Sequence, residues 1–260
     1  MAGAALDLVE VAGVFYGFKS FGGGHEKKVR RVAAFQQGQR DGALLDGSPM
    51  LTIYGVYRSR ASRILWLAEE LGIPFKLVPV MQRYRLPDPP PAGVVHTKSP
   101  AFLEVNPNGH VPTIEDDGVV LHESLAITLY LAKKHGGALA PATVAEDGEM
   151  TMWALWAATE VETNALNILY HRISNPKLAN EAVEALRTPF AVLDTALAKD
   201  GHLVGGRFTV ADINTAEVVR YAQSAPELFD AAPRVKAWLA GCQARPAFKK
   251  MWAERDKEPA

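Results

Sequence analysis

The chain has 260 residues, of which 48% are hydrophobic and 22% charged, a balance that suits an ordinary soluble protein with room for two domains. Its 28 Lys and Arg nearly cancel its 29 Asp and Glu, so no global field favours nucleic acid as a partner. The single cysteine, Cys242, excludes an internal disulfide and any multi-cysteine metal site and favours the cytoplasm, while short, charge-interrupted apolar runs offer no membrane span.

Residues 1–49 carry recurrent glycines and mixed charges with no settled hydrophobic period, and match neither a transit peptide nor a signal peptide. They read as a flexible extension or an upstream mis-start, with the folded protein expected to begin at Met50. Leu51-Thr52-Ile53-Tyr54 is a short β-rich run ended by Gly55. Ser59-Arg60-Ala61-Ser62 offers helix caps, and Ile64, Leu65, Leu67, Ala68 and Leu71 supply a helical face closed by Gly72. Pro74 to Val80 reads as a second strand, Pro87 to Gly93 as an exposed loop, and Phe102-Leu103 as a short helix. Val111 to Ile114 makes a third strand, Asp116-Asp117-Gly118 a hairpin turn, Val119 to Leu121 a fourth strand, and Ser124 to about Lys134 a helix. Residues 136–147 read as a linker, and the remainder of the chain reads as helical. Met152, Leu155, Trp156 and Thr159 form one predicted buried face; Ala185, Leu186, Phe190, Leu193 and Leu197 form another. Phe208-Thr209-Val210-Ala211-Asp212 has the pattern of a capping box, opening an apolar helix predicted to be buried. The fold class is thus α/β plus all-α: residues 50–135 form the α/β domain and 148–255 the helical one.

Asn106-Pro107-Asn108-Gly109-His110-Val111-Pro112, with Glu123-Ser124 beyond it, carries the chemistry. A turn delivering a Val-Pro step, then a Glu-Ser pair at a helix start, suits an extended peptide held by its backbone and gripped at a charged end. Only an X-Pro bond goes cis at modest cost, and a cis Val111-Pro112 bond turns the Val111 amide and carbonyl outward. The 7 histidines form no HExxH or H-x-H pattern and no Gly-Lys phosphate loop occurs, so no protein-held metal is expected.

With Ser59-Arg60-Ala61-Ser62-Arg63, Asn106 to Pro112, Glu123-Ser124 and Phe208 to Asp212 in this order, the chain from about Leu51 to Trp252 resembles the cytosolic glutathione transferases, in particular the serine-type members such as the plant phi and related bacterial groups. The resemblance implies a thioredoxin-like N-terminal domain, a helical C-terminal domain and a homodimer. It also implies a detoxifying transferase that takes glutathione and a small hydrophobic electrophile, with glutathione as co-substrate and no separate cofactor. Ser59 aligns with the serine that donates to the glutathione thiolate; by its position alone it equally caps the first helix. Tyr57 is the rival hydroxyl or a wall of the electrophile pocket, which Trp153 and Trp156 are expected to line. Glu123 and Ser124 look like the pair holding the γ-glutamyl end, Val111 and Pro112 the backbone-pairing step, and His110 and Lys98 the contacts to the cysteinyl-glycine part. The thiol-transferring and zeta-type isomerase patterns carry a cysteine near the first helix, which this chain lacks. A glutathione-dependent peroxidase or isomerase, and a non-catalytic glutathione-binding protein, are the alternatives.

Overall fold

The structure is a computed structural model that describes residues 10–11, 14–15 and 50–258. Glu10–Val11 (β1) and Val14–Phe15 (β2) pair as an antiparallel ribbon. Otherwise the flexible-extension reading of residues 1–49 falls outside the described residues.

From Ser48 onward the chain forms one compact unit. Its sheet contains β3 (Leu51–Tyr54), β4 (Phe75–Val78), β5 (Thr113–Asp116) and β6 (Val119–His122) in the spatial order β4-β3-β5-β6. β3 and β4 are parallel and joined by α1 (Ser62–Leu71), whereas β5 runs antiparallel to both β3 and β6. Alternation along β3 sends Leu51 and Ile53 into the main core, beside Ile64, Leu65 and Leu67 of α1 and Ile127 and Leu131 of α3 (Ser124–His135). Tyr54 lies in a second cluster with Val78, Val80 and Phe102, the last on α2 (Pro100–Val105). Helices therefore cover both faces. The β5–β6 turn takes positive φ at Asp117 (49°) and Gly118 (80°), as a tight hairpin turn of the sheet's hand requires. Val111-Pro112 is cis, and so is Asp88-Pro89, a bond for which the Pro-rich stretch gave no specific sign.

The helical part runs from α4 (Val144–Trp156) through a π-turn at Ala157–Val161, α5 (Glu162–His171), α6 (Pro176–Ala196), α7 (Val210–Val219), α8 (Pro226–Ala231) and α9 (Pro233–Ala244) to α10 (Pro246–Lys257). Three expectations need correction. The predicted linker is shorter: Thr143 accepts from the Glu146 amide and starts α4 at Val144. The buried face of α4 is also rotated, with Met150, Trp153, Ala154 and Ala157 inside and Met152 and Leu155 outside. Ala185 of α6 is likewise exposed, while Leu186, Phe190, Leu193 and Leu197 are buried as predicted. α7 is buried along its whole length, and both bonds of the Thr209–Asp212 capping box form. Asp212 also accepts from Trp238 Nε1 at 2.9 Å, which docks α9 onto the start of α7.

Candidate active site

Ser59 stands in the turn between β3 and α1, half-buried. Its Oγ donates to the Val56 carbonyl at 2.7 Å and accepts from the Ala61 amide at 3.1 Å. The hydroxyl thus braces the turn that leads into α1, but the expected helix cap is not formed: the N-cap is Ala61, with no side-chain cap bond. The Ser59 oxygen is already polarised by a backbone N–H, which strengthens it as a donor. Gly55 is the residue against which the site closes. A Cβ there would lie 2.9 Å from Ala61 Cβ, 3.7 Å from Ser59 Oγ and 3.8 Å from Val111 Cβ. Ser59 and Val111, 52 positions apart by their numbers, therefore flank one glycine.

The Asn-Pro-Asn-Gly segment forms a stapled turn. Asn106, buried, donates from Nδ2 to the His110 carbonyl and to Thr113 Oγ1, each at 2.9 Å, and accepts from the Asn108 amide at 3.0 Å. Gly109 has φ 61°, and a Cβ on it would come within 2.6 Å of the Thr97 carbonyl oxygen, so the loop carrying exposed Lys98 packs on the turn carrying exposed His110. Val111 stands just before the register that begins at Thr113 opposite Tyr54. Among the described residues its amide and carbonyl make no backbone hydrogen bond.

Glu123 is exposed at φ 72°, a left-handed conformation unusual for a residue with a long side chain. Its carbonyl accepts from the Ile127 amide at 2.9 Å and so starts α3. Ser124 comes next, buried, and its Oγ accepts from the Arg63 guanidinium at 2.9 Å. Arg63, 1% exposed, also reaches Glu162 at 2.6 Å, and Arg60 joins that carboxylate at 2.8 Å. Burial opposes ionisation of Glu162, but Arg63 and Arg60 outweigh it and hold its carboxyl below the usual range. Beside this network Ser62 donates to Glu217, a wholly buried carboxylate also paired with Arg220 at 2.7 Å. Burial again works against the charge on Glu217, and Arg220 and Ser62 reverse the balance. Of these residues, sequence reasoning gave Arg63, Glu162, Glu217 and Arg220 no role. The available signals were an arginine among the apolar residues of α1, and a glutamate three residues before an arginine in an otherwise apolar stretch.

Tyr57 is half-buried, and its phenol is pushed above the ordinary tyrosine value by burial and then by Glu254, Glu69 and Glu258. Carboxylates near that hydroxyl disfavour its own ionisation. Trp153 is packed in the core, edge-on to the half-buried Trp156 at 5.1 Å, so Trp153 is a core residue rather than an open wall. Tyr170, a further candidate for the wall of the electrophile pocket, is 65% exposed, and Tyr84, which the sequence reading did not select, is 81% exposed.

A sheet ordered β4-β3-β5-β6, a cis-proline before β5 and an appended helical domain define a class. The chain belongs to the glutathione S-transferase family: the N-terminal domain of that family matches residues 57–134 and its C-terminal domain residues 159–246. A probable glutathione S-transferase of Oryza sativa subsp. japonica, GSTF1, is 31% identical over 221 residues, covering 77% of this chain and 94% of that protein. Glutathione S-transferase F13 of Arabidopsis thaliana is also 31% identical, with 77% and 94% covered. Among solved structures, glutathione transferase F7 from Populus trichocarpa superposes with a TM-score of 0.67 at 27% identity, over 79% of this chain and 99% of that one. The theta class enzyme of Xanthomonas axonopodis pv. citri, with glutathione bound, gives 0.64 at 29% identity, over 78% and 97%.

Proposed function

We propose that this glutathione transferase activates the glutathione thiol through Ser59 and transfers the tripeptide to hydrophobic electrophiles. The observation that carries the reading is the Ser59 hydroxyl at the entry of α1, polarised by the Ala61 amide and beside Val111 across Gly55. An ordinary cysteine thiol has a pKa of about 8.5, and lowering it by about two units takes roughly 2.7 kcal/mol of preference for the anion. A hydrogen bond to a charged acceptor contributes about 1.5–3 kcal/mol, and a helix N-terminus adds up to about 1–2. The Ser59 proton would leave the neutral Val56 carbonyl for the thiolate, so the gain is the difference between a charged and a neutral acceptor.

The division of labour runs along the chain. Residues 50–135 hold glutathione: Val111 pairs with its backbone, Pro112 shapes that step, Glu123 meets its ammonium, and the Ser124 amide and hydroxyl meet the γ-glutamyl carboxylate. Lys98 and His110, exposed on packed neighbouring loops, face the glycine end. Residues 148–255 and Tyr57 enclose the electrophile, and Trp156, Tyr84 and Tyr170 supply its aromatic surroundings. The thiol proton passes to solvent as the thiolate forms; with a haloaromatic acceptor the thiolate sulfur then forms the new carbon–sulfur bond and halide leaves, so Ser59 keeps its own proton. We further read the enzyme as a cytoplasmic, detoxifying homodimer. Exposed Val119 and Val120 on β6, with Met152 and Leu155 on α4, support association with a second copy.

The test is steady-state conjugation of glutathione to a neutral chlorodinitroaromatic. Ser59→Ala is expected to lower kcat at neutral pH by about ten- to a hundredfold, the value of one charged hydrogen bond, with KM for glutathione nearly unchanged. An unchanged kcat refutes the role of Ser59.

A further inference from the structure

The turn that carries Ser59 already holds an anion. Glu258, the residue after α10, places one carboxylate oxygen 2.8 Å from the Tyr57 amide and the other 2.7 Å from the Arg58 amide. Arg58 Nε closes the arrangement by donating to the Glu258 carbonyl at 2.9 Å. Two successive backbone N–H groups converging on one carboxylate make an anion-binding nest. The two amides belong to the residues immediately before Ser59, so the nest adjoins the place where sulfur would meet its electrophile.

The surroundings hold more positive charge than this one carboxylate uses. Arg255 donates to the Tyr57 carbonyl at 3.4 Å, and its guanidinium lies 4.9 Å over the Trp252 ring. Among the described residues neither Arg58 nor Arg255 forms an ion pair with a carboxylate side chain. The neighbouring acids have their own cations: Glu254 pairs with Lys257 and Glu69 with Lys250, each at 2.6 Å, and Glu217 pairs with Arg220 at 2.7 Å. Burial and then the nearby Arg220 and Arg58 lower the pKa of Arg255, as expected where guanidiniums crowd without enough anion between them.

We propose that the Tyr57 and Arg58 amides, with the Arg58 and Arg255 guanidiniums, form a carboxylate subsite for the electrophilic co-substrate, and that Glu258 is its resident competitor. The preferred acceptors are then electrophiles bearing a carboxylate, which displace Glu258 on entry. The subsite is built from Tyr57, Arg58 and Arg255, none of which is among the residues assigned to glutathione. This inference rests on Ser59 being the thiol donor, because that assignment puts the electrophile beside Tyr57 and Arg58.

The probes are 4-chloro-3,5-dinitrobenzoate and the matching neutral amide, 4-chloro-3,5-dinitrobenzamide. In both, the glutathione sulfur forms the carbon–sulfur bond and chloride leaves with the bonding pair, so the two differ only in charge at the distal group. Each enzymatic rate is divided by the uncatalysed rate of the same probe. Glu258→Ala is expected to raise the acid-to-amide ratio of kcat/KM by about tenfold, since removing a tethered competitor frees the subsite. Arg255→Gln is expected to lower the same ratio. A ratio unchanged by Glu258→Ala, with both probes slowed together, means that Glu258 only braces the turn and overturns the proposal. Binding of unreactive 3,5-dinitrobenzoate, measured by calorimetry, needs no turnover. Its Kd should tighten in Glu258→Ala, and no tightening overturns the subsite even if the amide is conjugated well. Tightening without any conjugation by the parent would instead support the subsite and count against Ser59 as the thiol donor.

Discussion

The Arg63 guanidinium donates to Ser124 Oγ at 2.9 Å, joining α1, the helix just after the Ser59 turn, to the start of α3. The same side chain crosses into the helical domain to reach Glu162 at 2.6 Å. One buried arginine therefore fixes three elements whose mutual placement the site depends on. Its charge is tolerable in the core because it is paired and hydrogen-bonded.

Removing that arginine should be costly. Arg63→Met leaves Glu162, 12% exposed, with only the more open Arg60 for company. The expected loss is about 3–5 kcal/mol of unfolding free energy, typical of breaking a buried pair. Urea denaturation of Arg63→Met, Glu162→Gln and the double variant checks it. The double variant should be clearly more stable than the sum of the two single losses implies.

Glu123 separates binding from stability. Glycine accepts φ 72° without steric cost, so Glu123→Gly should match or exceed the parent in stability by up to about 1 kcal/mol. Its affinity for glutathione should fall by about tenfold or more, because a charged partner of the ligand ammonium is gone. Glu123→Ala should lose the affinity without the gain in stability. Calorimetric titration and thermal unfolding read the two effects independently.

Acid should unfold the protein through its paired carboxylates. Glu162 and Glu217 have folded pKa values below the ordinary 4.5 because arginines outweigh their burial. A group depressed in this way contributes stability that is fully present above 4.5 and is lost as pH falls through the folded value. The urea midpoint should hold between about pH 7 and 5 and then decline. Glu217→Gln should start lower at neutral pH and decline less steeply, because it removes one of the groups that must be protonated.

The order of elements in the α/β domain was legible because local signals and tertiary structure agree there. Alternation in Leu51 to Tyr54, Gly72 at a helix end, and Asp116-Asp117-Gly118 at a hairpin each point one way. Asn106 to Pro112 was legible as a turn leading to a cis step for the same reason. The face of α4 was not, since Met150, Met152, Trp153, Ala154, Leu155 and Trp156 put apolar residues all round and periodicity cannot choose a side. Thr143 with Glu146 three residues later is a capping signal, and its omission made the linker too long. The candidate roles of Ser59, Val111, Glu123 and Ser124 came from motif order. The partners in Arg63–Glu162 and in Glu258 on the Tyr57 and Arg58 amides could not be named, because an arginine in an apolar helix signals a buried charge but a contact across the whole chain leaves no local trace of its partner.

The sharpest single measurement is an ultraviolet titration of glutathione bound to the parent and to Ser59→Ala. With Ser59 as donor, the bound thiol should ionise at least about one unit below 8.5 in the parent and return most of the way towards it in the variant. Identical titration curves for the two proteins would contradict the assignment of Ser59.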